Sequence, residues 1–358
     1  MLSIVLMAAA LTPDASACAG IFHETGMLAE SDTQEVILEQ LDGDAIKVHY
    51  RAVYEGDSPD FGWIIPVPGE VTALEDGDLD LFDDVRDASQ PIVERYYESV
   101  SDSSDGCGCG GAKSGDALNL SDTASDRAGN GVDVLAEGFT GTYDYVLLEA
   151  TDASELLQWL DDNGWSVGGS EDDLEAYITD GWQFAALGVA VDEAETYEDG
   201  RELPPVTLTY TGDMAFPARM ARSAGAVEQR TTLYVIGDQR ARISEGWTEG
   251  TLPKLSGDID ADAEVIYQDA LRDLSADEAS YALTYSYDYG ARWLTRFDTL
   301  TLAADHTTDP FLVVDAGEQK ANTEIELHEG GTTQRSNHRG LLLLLAPMLG
   351  LGWSLRRR

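Results

Sequence analysis

Asp258, Asp260 and Asp262 stand at alternating positions, and Asp269 falls at the twelfth place of the loop that Asp258 would open. Alternating carboxylates with a closing acid are how an EF-hand surrounds calcium with oxygen. The sixth place holds Ala263 where that loop needs Gly, and Glu264–Leu274 already has a helical pattern. The competing reading is an acidic helix start, in which carboxylates complement the positive end of the helix dipole, and the spacing favours it. Asp76, Asp78 and Asp80, with Gly77 out of place, form a similar run under the same discount. Five histidines occur, His23, His49, His306, His328 and His338, in no H-E-x-x-H spacing and beside no nucleophile motif. His49 falls in a strand pattern and reads as a packed sheet residue. No G-x-S-x-G, Walker A or dinucleotide-binding glycine pattern is present. Triads built from distant segments stay open, but no local motif gives a positive reason to propose an enzyme. Arg219, Arg222, Arg230, Arg240 and Arg242 are the densest basic region. Guanidinium groups bind carboxylates and other anions through paired hydrogen bonds. These five therefore mark either an anion site or intramolecular pairing with the acids, which the composition favours.

The acids are in large surplus. The 358 residues carry 67 Asp+Glu against 22 Lys+Arg, a formal charge of −45, and 43% of them are hydrophobic. That apolar share excludes a disordered acidic tail. The negative field repels phosphate backbones, which excludes nucleic acid as a partner. Lys47, Lys113, Lys254 and Lys320 are the only lysines, so the positive charge is mostly Arg. The surface reads as a solvated one suited to salty surroundings, with calcium binding as the sharper alternative.

The two ends speak to location. Residues 1–17, MLSIVLMAAALTPDASA, run apolar from Leu2 to Leu11 and finish in Ala15-Ser16-Ala17, small residues of the kind a signal peptidase reads. The expected mature start is Cys18. Acylation of Cys18 is the weaker alternative, because Ala15 stands where a lipoprotein signal has Leu. At the other end Gly340, Leu341 and the residues through Leu355 form sixteen uncharged, mostly apolar positions, followed by Arg356, Arg357 and Arg358. As a helix this segment spans about 24 Å, short of the roughly 30 Å hydrocarbon core, with its arginines in the cytoplasm. Preceded by a polar spacer at 331–339, the order resembles tripartite C-terminal sorting signals handed to a membrane sortase or rhomboid-type protease. An ordinary membrane anchor predicts the same topology, with residues 18–338 exported. Removing 1–17 takes away Asp14, and removing 339–358 takes away Arg339 and the three terminal arginines, leaving 66 acids against 18 bases.

The elements between the ends predict an α+β fold with a mixed, largely antiparallel sheet and a few capped helices. Residues 33–40 and 45–54 alternate apolar and polar around Leu41-Asp42-Gly43-Asp44, a hairpin pattern. Phe61–Val67, FGWIIPV, is an apolar segment that Pro66 and Pro68 restrict to an edge strand or a strand end. Residues 74–98 are rich in acid and helix formers, and 101–131 form a Ser/Gly/Asp loop that cannot bury a core. Tyr143–Glu149 reads as a strand, followed by a helix with Asp152 as N-cap and Glu155 three residues on. A second helix starts at Ser170 and closes at Gly181, and Trp182–Val191 returns as a buried strand. Strands are expected at Val206–Tyr210 and Thr231–Ile236, helices at 262–274 and 276–283, and extended chain at 291–301 and 311–315. The tryptophans, among them Trp63, Trp159, Trp165, Trp182 and Trp293, fall inside these elements and read as core. One exported domain over 18–330 results.

Several of these segments together resemble an exported bacterial family, domain of unknown function 2330. They are Cys18–Phe22, Phe61–Pro68, Tyr143–Trp165, Gly181–Val189, Leu208–Met220 and Leu233–Arg240. The resemblance implies an envelope-associated domain without an established activity, and it transfers no catalytic residue. The family start is similar to C-G-G-F-F-C, whereas this chain has His23 at the second cysteine position. With Cys107-Gly108-Cys109 in the loop, Cys18, His23, Cys107 and Cys109 form a four-ligand set that would suit zinc. The C-x-C spacing is less regular than the usual one, and exported cysteines more often oxidise to disulfides. Of three cysteines one is then left over; a lipidated Cys18 and a redox-active C-G-C complete the alternatives. The reading is an exported, membrane-tethered or sortase-processed surface protein without enzymatic activity. The alternatives are a zinc- or calcium-binding envelope protein and a thiol-dependent or hydrolytic enzyme.

Overall fold

The computed structural model describes residues 20–22, 29–30, 33–52, 55–56, 62–97, 131–163, 171–189, 204–224, 228–252, 254–275, 280–317 and 321–329. Twenty-one strands among them, β1 to β21 in chain order, and four α-helices, α1 to α4, make an α+β fold rich in strand and mostly antiparallel. The expected hairpin forms: β3 (Thr33–Gln40) pairs with β4 (Ala45–Ala52). Gly43 in its turn has φ 74°, a left-handed conformation that glycine adopts without strain.

Period-two patterns sort the side chains into layers. The larger sheet runs β15 (Thr248–Thr251), β17 (Ser280–Tyr289), β18 (Arg292–Leu302), β13 (Glu228–Gly237), β3, β4, β12 (Val206–Gly212), β7 (Gly69–Asp76), with β20 (Ala321–Asn322) on β17. The smaller runs β1 (Gly20–Phe22), β6 (Gly62–Val67), β11 (Gln183–Val189), β10 (Tyr143–Ala150), β9 (Val132–Phe139). Val36, Leu38, Val48, Leu208, Leu233, Val235 and Phe297 of the larger sheet meet Trp63, Ile65, Val67 and Leu187 of the smaller in the main core. Alternate residues of the smaller sheet, Ile64, Leu148, Phe184 and Ala186, face outward. They are covered by Leu156 and Leu160 of α2 (Ala153–Asp162) and by Leu174 and Tyr177 of α3 (Glu171–Thr179). The outer face of the larger sheet is covered by α1 (Leu79–Ser89), through Phe82 and Val85 against Ile37, Tyr234 and Leu294. Beside it lies α4 (Ala263–Ser275), with Tyr267 and Leu271 against Leu300, Ile325 and Leu327. A three-stranded parallel sheet, β16 (Leu255–Asp258), β21 (Glu324–His328), β8 (Ile92–Tyr96), completes that side. Two short pairs remain, β2 (Ala29–Glu30) with β5 (Glu55–Gly56) and β14 (Ala241–Glu245) with β19 (Phe311–Val314). Each fully buried Leu, Ile, Val or Phe contributes roughly 1.5–3 kcal/mol, so these face-by-face alternations hold the layers together.

Three expectations meet their structural outcome here. Asp152 caps α2, its carboxylate accepting from the Glu155 backbone N–H at 3.0 Å. The apolar FGWIIPV segment becomes β6, which is flanked on both sides over Gly62–Ile64, and among the described residues Pro66 faces Phe184 of β11 alone. The missing proline N–H falls one residue before the strand end, a position at which proline is tolerated. The helix expected at 276–283 is overturned: residues 280–283 open β17. Tyr281, Leu283, Tyr285, Tyr287 and Tyr289 repeat every second residue, and this largely aromatic two-residue period prevails over the helix propensity of Ala282 and Leu283. Residues 276–279, Ser170 and the loop at 101–130 lie outside the described residues.

Where β12 meets β7, Gly212 and Gly69 stand directly opposite. A Cβ at Gly212 would sit 2.2 Å from the Pro68 carbonyl oxygen, an atom of the backbone that cannot rotate away. Gly212→Ala is expected to cost about 1–3 kcal/mol, measured as a lower urea midpoint at unchanged slope. An unaltered midpoint would show that this edge is free to separate.

Candidate functional site

The outer face of the larger sheet carries a polar row that its register assembles. Asp298 on β18 stands opposite Thr232 on β13, Thr232 opposite Glu35 on β3, and Glu35 opposite Arg51 on β4. Four strands thus present four polar residues side by side, on the face where α1 and α4 pack. Glu35 accepts from Arg51 Nη1 at 2.6 Å and from Arg86 of α1 through Nη2 at 2.6 Å and Nε at 3.2 Å. The Tyr234 hydroxyl donates to it as well, at 3.2 Å. Asp298, completely buried, accepts from Arg296 Nε at 2.7 Å and from the hydroxyls of Thr232 and Tyr267. Arg296 also donates to the Ser89 carbonyl at the end of α1, 3.2 Å away. Arg230 on β13 donates to Glu264 of α4 at 2.5 Å, and its guanidinium lies over the Tyr267 ring at 5.7 Å.

Above this row opens a cleft of about 550 Å³. Arg51, Arg86 and Arg230 line it with Glu35 and Glu264, and Pro91, Val93, Ala263 and Ile325 supply an apolar side. Burial disfavours ionisation of Asp298, but the Arg296 and Arg230 charges with the Thr232 and Tyr267 hydroxyls outweigh it, and its pKa falls. Burial likewise opposes the charge on Arg296, yet Asp298 beside it raises its pKa. Both stay charged at neutral pH. A second buried carboxylate shows the opposite balance. Asp309 accepts from Tyr177 at 2.9 Å and from the backbone N–H and Nε of Arg219 at 2.8 and 2.6 Å. Burial still raises its pKa, since one guanidinium faces it where two face Asp298. Thr232 and Tyr267, which line the cleft, are thus held from beneath by the buried Asp298 carboxylate.

His306 is a further buried polar group. It is fully enclosed, packs against Trp247 at a 36° tilt with ring centroids 4.6 Å apart, and among the described residues has no hydrogen-bond partner at either ring nitrogen. Burial pushes its pKa down to about 4.

The residues singled out from sequence are placed as follows. Asp258 ends β16 and accepts from the Asp260 N–H at 3.0 Å, and Asp262 starts α4, accepting from the Glu264 N–H at 2.9 Å. Asp269 lies within α4, paired with Arg272 at 2.9 Å, so it does not close a loop around the other three. Asp78 caps α1. Among the described residues no group of three or more His, Cys, Asp or Glu is arranged to hold a metal. Cys18, His23, Cys107 and Cys109 lie outside the described residues, as do Gly340, Leu341, Leu355 and Arg356–Arg358. Among the described residues no helix is long and apolar enough to cross a membrane. All five arginines of the basic region carry carboxylate partners: Arg219 with Asp309, Arg222 with Asp173, Arg230 with Glu264, Arg240 with Glu249, Arg242 with Asp315. His49 sits in β4, bonded to the Thr207 hydroxyl at 2.8 Å. Of the cleft arginines only Arg230 stands out in the sequence. Glu35, Arg51, Arg86, Arg296 and Asp298 do not, although Arg296-Phe297-Asp298 carries a readable signal, charge on alternate positions of an apolar strand.

Fold and site define a β-rich, layered α+β domain with an ion-pair cleft on its larger sheet. The chain belongs to the family described as "uncharacterized protein conserved in bacteria", domain of unknown function 2330, whose model matches residues 12–309. No curated protein matches it. Among solved structures it is similar to a mutated baculovirus P35 after caspase cleavage, at 8% identity and TM-score 0.31, covering 78% of this chain and 97% of that one. The P35 of a caspase-8/P35 complex gives 9% identity and TM-score 0.33 over 78% of this chain and 96% of that one.

Proposed function

We propose that the protein is exported to the bacterial envelope or surface, held there by residues 340–358 or released by processing at that segment, and acts without catalysis. What carries this reading is the pair of end segments: an apolar leader closing in Ala15-Ser16-Ala17, and an apolar run ending in Arg356–Arg358. The interior supports the non-catalytic part. Its buried charges, Asp298, Asp309 and Arg296, bond across strands and layers and brace the domain. The partners on this reading are a signal peptidase, the membrane, and a sortase or rhomboid-type protease.

Production of the full chain in a bacterial host tests it. Mass spectrometry of the processed protein is expected to find Cys18 at the N-terminus, and protease added to intact spheroplasts is expected to digest the domain. A chain that keeps residues 1–17 and stays fully protected overturns the reading.

A further inference from the structure

We propose that the cleft on the larger sheet binds a small organic carboxylate carrying a short apolar body. In a chain of charge −45, three guanidiniums converge on this one cavity, Arg51, Arg86 and Arg230, against two lining carboxylates, Glu35 and Glu264. The two carboxylates differ. Glu35 is nearly enclosed and already accepts from two arginines and a tyrosine. Glu264 is half exposed and meets one guanidinium, that of Arg230. Arg230 is itself about one-fifth exposed where it lines the cleft, so its guanidinium can be reached from solvent. A carboxylate entering from solvent can therefore displace or share with Glu264 at Arg230, in the paired geometry guanidinium favours. The opposite side of the cleft selects the rest of the ligand. Val93 and Pro91, with Ile325 buried behind them, offer no hydrogen-bonding side chain, and a ligand that covered the first two would remove apolar surface from water. A volume of about 550 Å³ falls in the range of small-molecule sites. Free phosphate would satisfy the arginine and leave that apolar side wet.

The test is calorimetric titration of the purified full chain with hexanoate, inorganic phosphate and hexanol. Hexanoate is expected to bind, and the other two to bind at least tenfold more weakly. Arg230→Gln should weaken hexanoate roughly 10–100-fold, the scale of losing a charge-assisted pair. Glu264→Gln should tighten it about two- to fivefold, because it removes a competitor whose half-exposed pair is weak. Arg242→Gln, on an exposed pair elsewhere, should leave it unchanged and reports whether losing any arginine matters. The Glu264 variant keeps the proposal testable if Arg230→Gln fails to fold. Hexanoate that does not bind to either the wild type or Glu264→Gln overturns the proposal. Phosphate binding as tightly as hexanoate, or weakening by Glu264→Gln, does the same. None of these outcomes bears on export.

Discussion

Asp298→Asn is expected to destabilise the protein by about 3–5 kcal/mol, the cost of leaving a buried charge without its partner. Arg296 is nearly enclosed in the same layer, and its Nε bond to Asp298 is 2.7 Å. The amide cannot neutralise it and offers one acceptor oxygen where the carboxylate receives Arg296, Thr232 and Tyr267. Arg230, whose charge also faces Asp298, loses part of its compensation. Urea unfolding at pH 7 measures the effect. The double variant Arg296→Met with Asp298→Leu should recover much of the loss, since apolar replacement of a buried pair is often close to neutral. A single variant within 1 kcal/mol of the wild type would show that the guanidinium finds another partner or reaches solvent.

His306 makes stability fall on acidification. Its ordinary pKa is near 6.5, and burial pushes it to about 4 in the folded protein. Between those values the unfolded chain binds a proton that the folded one refuses, so stability decreases as pH drops from about 6.5 to about 4. At the lower end the loss reaches about 3 kcal/mol, and above pH 6.5 the residue contributes nothing to pH dependence. The comparison is the urea midpoint of wild type and His306→Phe, followed from pH 7 to pH 4.5. The wild type should lose more over that window, with the difference growing downward. Parallel curves would mean that His306 takes up its proton in the folded state as readily as in the unfolded one.

What the sequence makes legible is local. The β3–β4 hairpin, the Asp152 cap and the acid start of α4 are written within a dozen residues each, because a turn glycine or a capping carboxylate acts on its own neighbours. Pairing of the basic region with acids follows from composition alone. The cleft is hidden for the opposite reason. Glu35, Arg51, Arg86, Arg230, Arg296 and Asp298 come from five elements, and the register that aligns four strands is set by tertiary packing. No spacing along the chain encodes it. The strand at 280–289 is misread because Ala and Leu weigh toward helix over a short window, while its aromatic alternation emerges only over the full ten residues. The edge strand β7 escapes for a related reason: its acids and half-exposed positions blur the two-residue period.

One pairing constrains how the molecule comes into being. β3 lies parallel to β13 at the centre of the larger sheet, joining residues 33–39 to 230–236. Loop closure over such a distance must precede the contacts that reward it, which slows folding and raises contact order. The first hairpin gains its flanking strands only once β12, at 206–212, and β13, at 228–237, have been made. The N-terminal half cannot complete a domain as it emerges; it waits, extended or loosely collapsed and open to chaperones, for the C-terminal half to arrive.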